Sequence, residues 1–424
     1  MTTRIPRPLS STAVLRHLRP ADLRAAAQLA AQATHGVIDI TEGVHQAVRR
    51  RLGLSAGASA EQASGLTGQV YQMVRGVTRL VGWGTDAALG ALLPLVDDPA
   101  THPEASPERE AVLAALNGVL GDRLQLTGNA LAQPMLLRQG GRTLALNPPA
   151  LAASLGDRVS PHLLLMVHGL CMNDTQWRWG GHDHGAFLAQ AMGCTPVYLR
   201  YNTGLHTSTN GRELASLLER LVAAWPVPLE RITLVCHSMG GLVSRSAVQV
   251  ARTAGLRWPT LLRELVFLST PHHGAPLERA GHGVDLLLAA TPFTAPFTRL
   301  GQLRSAGITD LRHGHVLDAD WQGRDRFAAS DDHRVPLPLP EGVACFTVAA
   351  TLAGRRGLLA ERLTGDGLVP LRSALGQHDD PARQLAFAPD HQHIAWRTGH
   401  LDLLSSRPVA ERLLTWLTGD RAPA

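Results

Sequence analysis

The chain has no lysine: its basic excess, a net +5 over 424 residues, is carried by arginine alone. Those arginines are scattered among Asp and Glu instead of forming a long run. They read as compositional bias, and no nucleic-acid partner is expected. Cysteine is scarce too, and Cys171, Cys194, Cys236 and Cys345 stand far apart. That spacing suits neither a zinc site nor a disulfide framework and points to a reducing, cytoplasmic compartment. Long apolar runs are missing: Ala87 to Val96 is short and holds Pro94, while Met1 to Arg24 is polar and Arg-dotted. A spanning helix and a secretory signal are therefore not expected. No Gly-rich loop carries the Lys and Ser/Thr of a phosphate cradle.

What is present is a large apolar fraction, 45% of residues, enough for a large core and for one sizeable domain with an appendage. Residues 1–128 read as an N-terminal helical region. Within it Ser106 as N-cap, Pro107, Glu108 and Glu110 open a helix whose Val112, Leu113, Leu116, Val119 and Leu120 recur at helical spacing. Residues 99–107 read as a linker or exposed loop. From 129 to 424 the period changes. Residues 135–138 and 142–146 flank Gln139-Gly140-Gly141 as a hairpin. Short apolar runs at 163–167, 197–199, 232–235, 265–268 and 345–349 then alternate with helical patterns at 213–225 and 242–252, which predicts an α/β fold with a mostly parallel sheet. Residues 275–340 are too long for an ordinary connection and read as a lid or cap insertion.

The most informative segment is Leu234-Val235-Cys236-His237-Ser238-Met239-Gly240-Gly241. An apolar strand runs into a Ser, and two glycines open a helix. A Ser hydroxyl is a weak nucleophile unless held clear of its neighbours, beside a base and facing oxyanion donors, and a strained strand-to-helix turn supplies that exposure. The pattern departs from G-x-S-x-G only in Cys236, which is small enough for strand and helix to approach.

An acid and then a His should follow such a Ser in the chain. Asp366, in Thr364-Gly365-Asp366-Gly367-Leu368-Val369-Pro370, lies on a Gly-flanked loop after the strand at 345–349. It is the expected acid, although Asp-Gly is also an ordinary turn pair. Asp379, Asp380 and Asp390 sit in looser contexts. His400, in a loop just before a closing helix opened by Pro408, is the expected base, with His391 and His393 as competitors. Oxyanion donors are expected from the backbone N–H groups of Met239 and of Leu170, which follows Gly169 after the strand at 163–167. His168 is expected to be structural. His182-Asp183-His184 lacks a second cluster to complete a metal sphere, and residues 201–206 read as either a cleft wall or a polar turn.

Together the segments Val167-His168-Gly169-Leu170, Cys236 to Gly241, Ser269-Thr270-Pro271-His272-His273-Gly274, Gly365 to Pro370 and Gly399-His400-Leu401-Asp402-Leu403-Leu404 resemble the lipase and esterase branch of the α/β-hydrolase superfamily, bacterial triacylglycerol lipases among them. The resemblance runs from about residue 130 to the C-terminus. It implies a serine hydrolase that cleaves carboxylic esters through an acyl-enzyme, with no cofactor and no metal. Leu286 to Ala290 and Pro292 to Phe297 make the insert apolar, which favours a lipid-like ester. Thioesterases and amidases use the same machinery, and the bond is open at this point. A different class is a non-catalytic scaffold whose N-terminal helices dock on a membrane or a protein, with Val37, Ile38, Ile40 and Val44 ahead of Arg49, Arg50 and Arg51 as a candidate surface helix. Packing of those helices within the protein or in an oligomer is the simpler reading.

Overall fold

A computed structural model describes residues 107–156, 159–275, 305–324, 332–354 and 365–419, together with Asp22, Ala25, Ala27 and Gln28. The Ser106 cap, the segment 37–51 and the apolar stretches 286–290 and 292–297 lie outside the described residues. The chain divides into two compact units, residues 1–109 with 126–131, and residues 110–125 with 132–424. In the first unit Asp22 accepts a two-pronged bond from Arg109, at 2.6 and 2.8 Å.

The second unit is built on one eight-stranded sheet, ordered β2-β1-β4-β3-β5-β6-β7-β8. After helix α1 (Pro107–Leu126) come β1 (Leu136–Gln139) and β2 (Arg142–Thr143), the antiparallel edge of the sheet. Helix α2 (Pro148–Leu155) leads to β3 (His162–Val167), α3 (His184–Met192), β4 (Thr195–Arg200), α4 (Thr207–Ala224), β5 (Arg231–His237), α5 (Met239–Thr253) and β6 (Leu262–Leu268). Helix α6 (Ala306–His313) lies in the long insert. The chain closes with β7 (Ala344–Thr351), α7 (Leu371–Ala374), β8 (Gln392–Trp396) and α8 (Arg407–Thr418). From β4 across to β8 all pairing is parallel.

The strands read as unbroken apolar runs because both sheet faces are covered. In β3, Leu164 and Met166 join a core with Trp177, Leu188, Val235, Val266, Phe346 and Leu413. The alternate residues Leu163, Leu165 and Val167 are equally buried and point to the other face. Each such side chain contributes roughly 1.5–3 kcal/mol on burial. Helix α5 is drawn tightly against β3: a Cβ on Gly240 would come within 2.6 Å of the Val167 and His168 carbonyl oxygens. Gly240→Ala should therefore destabilise the fold by about 1–3 kcal/mol, and an unchanged urea midpoint would show that strand and helix do not need this approach.

Helices α2 and α3 and strand β8 go beyond the sequence reading, β2 is shorter than expected, and α4 is longer. Strand β8 is not among the expected strands, because Gln392-His393-Ile394-Ala395-Trp396 is polar at its start and only half-buried, pairing on one side with β7. Helix α4 starts six residues earlier than its apolar period suggests, at Thr207. Its first N–H donates at 2.7 Å to the carboxylate of Asp310, which belongs to α6 in the insert. The same carboxylate is clasped by His206 and His315, and Trp321 stacks on the His206 ring at 3.6 Å. Among the described residues no helix is long and apolar enough to cross a membrane.

Candidate functional site

Ser238 follows β5 with φ 52° and ψ −124°, in the left-handed range of φ that side-chain-bearing residues avoid. Its N–H is held by the Leu268 carbonyl at 2.8 Å, and its carbonyl accepts from Gly241 N–H at 3.0 Å. Helix α5 begins immediately after it, so the positive end of that helix lies at the hydroxyl. The two glycines that follow are needed for packing: Gly240 against β3, as above, and Gly241 against Thr270 and Phe267, which a Cβ would strike. Cys236 sits in the core with its Sγ 3.0 Å from Ser244 Oγ of α5, so a thiol fits where a glycine is usual. Burial pushes that thiol up to about 12.

Beyond β3, a Cβ on Gly169 would come within 2.9 Å of Ser238 Cβ. The loop backbone thus runs directly beside the serine. Cys171 is also left-handed, at φ 57°, and its N–H donates to Thr203 Oγ1 at 3.1 Å. Among the described residues neither the Leu170 nor the Met239 N–H donates to a protein acceptor. His168 lies stacked on Tyr201, with ring centroids 4.5 Å apart, and its carbonyl accepts from the Tyr201 hydroxyl at 2.8 Å. Burial pushes its imidazole down to about 4, so it is neutral at pH 7. Asn202 and Thr203 likewise bond inward, to Gly121 and Cys171, and so residues 201–203 are buried framework.

Asp366 and His400 come together 34 residues apart in sequence: His400 Nδ1 donates to Asp366 Oδ2 at 2.7 Å, with both side chains fully buried. The other carboxylate oxygen accepts from the Leu368 and Val369 N–H groups at 3.0 and 2.8 Å. The loop is tight, because a Cβ on Gly365 would overlap the Val369 carbonyl. Burial works to raise the Asp366 carboxyl. The neighbouring His400 charge and hydrogen bond, with the Val369 N–H and the Ser269 hydroxyl, outweigh it and hold the group below the ordinary carboxylate value. With Nδ1 turned to the acid, Nε2 is the free nitrogen of His400. It and Ser238 Oγ are both buried without a hydrogen-bond partner, so serine and imidazole are not hydrogen-bonded to each other here.

One residue that the sequence reading passed over ties the two halves of the site. His237, adjacent to Ser238, donates from Nε2 to the His400 carbonyl at 3.1 Å, and the rings lie 4.6 Å apart. Burial, and then the charge of His400, push His237 down to about 3, so it stays a neutral donor. Its only sequence signal was its place next to the serine. The competing residues serve elsewhere. His391 Nδ1 donates to the Cys345 carbonyl, His393 lies in β8, and Asp379 and Asp380 pair with Arg372 and Arg383. Asp183 caps α3 through the Ala186 N–H and accepts from Tyr198 O–H, while His184 donates to the Leu403 carbonyl at 2.7 Å. A small recess is lined by Arg245, His272, Asp320, Arg334 and Arg383 among others. Asp332 pairs there with both Arg334 and Arg383.

Residues 159–337 match the family described as "PGAP1-like alpha/beta domain". No curated protein matches the chain. Among solved structures the chain is similar to the mature form of a Bacillus licheniformis lipase, BlEst2, at 20% identity over 59% of this chain and 91% of that one, with a TM-score of 0.39. It is also similar to the Legionella pneumophila phospholipase PlaB, at 16% identity over 51% and 46% of the two chains (TM-score 0.34). A Pyrococcus furiosus esterase gives 13% identity over 62% and 82%, with a TM-score of 0.35. Strand order and the serine-bearing turn after β5 give the chain an α/β-hydrolase fold, and the match to an alpha/beta domain family over residues 159–337 agrees with it.

Proposed function

We propose that the chain is a serine hydrolase that cleaves carboxylic esters through an acyl-enzyme. The observation that carries this reading is the buried 2.7 Å bond between Asp366 and His400, next to a serine in a strained turn. Ser238 Oγ attacks the ester carbonyl while His400 Nε2 takes its proton, and Asp366 stabilises the imidazolium without accepting a proton itself. The carbonyl oxygen becomes an oxyanion, to which the Met239 and Leu170 N–H groups donate. His400 then returns the proton to the leaving alcohol, and water, activated by the same imidazole, releases the acid. The reaction needs no cofactor.

The apolar insert supports an acyl chain of some length as the substrate, a lipid-like ester rather than a small polar one. The four cysteines are free thiols buried in the fold, in keeping with a cytoplasmic setting. A fluorophosphonate probe should label Ser238 in the folded protein, and p-nitrophenyl esters should be hydrolysed faster as the acyl chain grows beyond acetyl. Absence of labelling would favour a scaffold, preference for acetyl would remove the lipid assignment, and faster turnover of matched thioesters or amides would reassign the bond.

A further inference from the structure

Helix α1 lies outside the matched span of residues 159–337, yet its residues 110–125 belong to the same compact unit as the sheet. One face of this helix meets the loop after β3. A Cβ on Gly118 would overlap the Cys171 thiol and come within 3.0 Å of the Cys171 N and Cα. Helix and loop therefore touch backbone to backbone at the residue following Leu170. One turn on, a Cβ on Gly121 would overlap the Asn202 side chain, whose Nδ2 donates to the Gly121 carbonyl at 2.9 Å. Near the start of the helix, Asn173 Nδ2 donates to the Glu110 carbonyl at 3.0 Å. The Glu110 carboxylate pairs with buried Arg200, which also holds Asp174 at 2.5 Å. The opposite side of the same loop is the nucleophile, because Gly169 is packed on Ser238 Cβ. Residues 169–173 are thus clamped between Ser238 and α1, with Cys171 kept in its left-handed conformation by the Thr203 hydroxyl.

We propose that α1 is a positioning element for the oxyanion: through Gly118 and Glu110, and through Gly121 on Asn202 beside the Thr203 that holds Cys171, it fixes the loop so that the Leu170 N–H meets the charge formed when Ser238 attacks. This inference rests on the ester-hydrolase reading. Donors of this kind act only when their geometry is set in advance, and a displacement of about 1 Å costs on the order of a hundredfold in rate. A backbone amide cannot be re-aimed by rotating a side chain, so its support has to come from what packs on the loop. Small residues at 118 and 121, one helical turn apart, permit that packing.

The test is Gly118→Ala, assayed with p-nitrophenyl butyrate and with an alkyl trifluoromethyl ketone, whose hemiketal on serine carries the same oxyanion. The kcat should fall roughly 10- to 100-fold with KM changed less than about twofold, and ketone affinity should fall by the same factor as kcat/KM. Adding Cys171→Gly removes the overlapped thiol and should bring kcat back to within about threefold of the Cys171→Gly chain, a coupling that independent sites would lack. A folded Gly118→Ala protein with unchanged kcat, or one that loses only KM, overturns the proposal. If Gly118→Ala does not fold, Asn173→Asp, which loses the Nδ2 donor to Glu110 but keeps the Oδ1 that accepts from Thr175, is read by the same ratios. Fluorophosphonate labelling of the unaltered chain separates the two ideas: failure to label sinks the hydrolase reading, while labelling with unperturbed variants sinks the positioning role alone.

Discussion

Ser238→Ala should leave a folded protein whose ester turnover is lower by on the order of 10⁴-fold or more, the scale expected when the nucleophile of a serine triad is removed. Stability should hardly change. Ser238 Oγ has no hydrogen-bond partner in the structure, so removing it leaves no protein group newly unsatisfied. Alanine also inherits rather than creates the strain at φ 52°, and the urea midpoint should correspond to less than about 1 kcal/mol of change. The paired measurement is initial rate on p-nitrophenyl butyrate and a denaturation curve. Retained turnover would mean that the nucleophile lies elsewhere.

Asp366→Asn is expected to lower kcat by a comparable amount, about 10³–10⁴-fold, with KM little affected. The carboxylate Oδ2 accepts from His400 Nδ1–H at 2.7 Å and so leaves Nε2 as the proton acceptor. An Asn amide can instead present an N–H to Nδ1, which moves the ring proton to Nε2 and removes the base. Stability carries a second signature. The folded carboxyl is held below its ordinary value, so the unfolded chain binds that proton more tightly. The resulting stabilisation is fully present above the unfolded value of about 4 and is lost as pH falls through the folded one. Asp366→Asn should flatten the stability profile in that acid range. A variant with near-normal kcat, or an unaltered acid limb, would show that the buried pair does neither job.

Much of this was legible in the residues, and what was not has physical causes. The parallel strands announced themselves because burial on two faces writes a continuous apolar run, as in Leu163 to Val167. Strand β8 did not, since it pairs on one side only and Gln392 and His393 sit at its start. The early start of α4 is invisible locally because its cap is Asp310, 103 residues away. At the site, Ser238, Asp366 and His400 carry glycine-marked signals, so each could be singled out as a candidate. His237 could not, because its bond to the His400 carbonyl exists only once distant loops have met. The contact between Gly118 and Cys171 is of the same kind.

The family match ends at residue 337, whereas β7 and β8 begin at Ala344 and Gln392. A shortened protein cut to the matched segment would keep Ser238, the proposed nucleophile, and lose Asp366 and His400, the two groups proposed to activate it. It would also strip β6 of its parallel neighbour, leaving a bare row of amide and carbonyl groups ready to zip onto another copy. On the proposed function, the last fifth of the chain is therefore at once the proton-handling half of the site and, by covering β6, a guard against self-association.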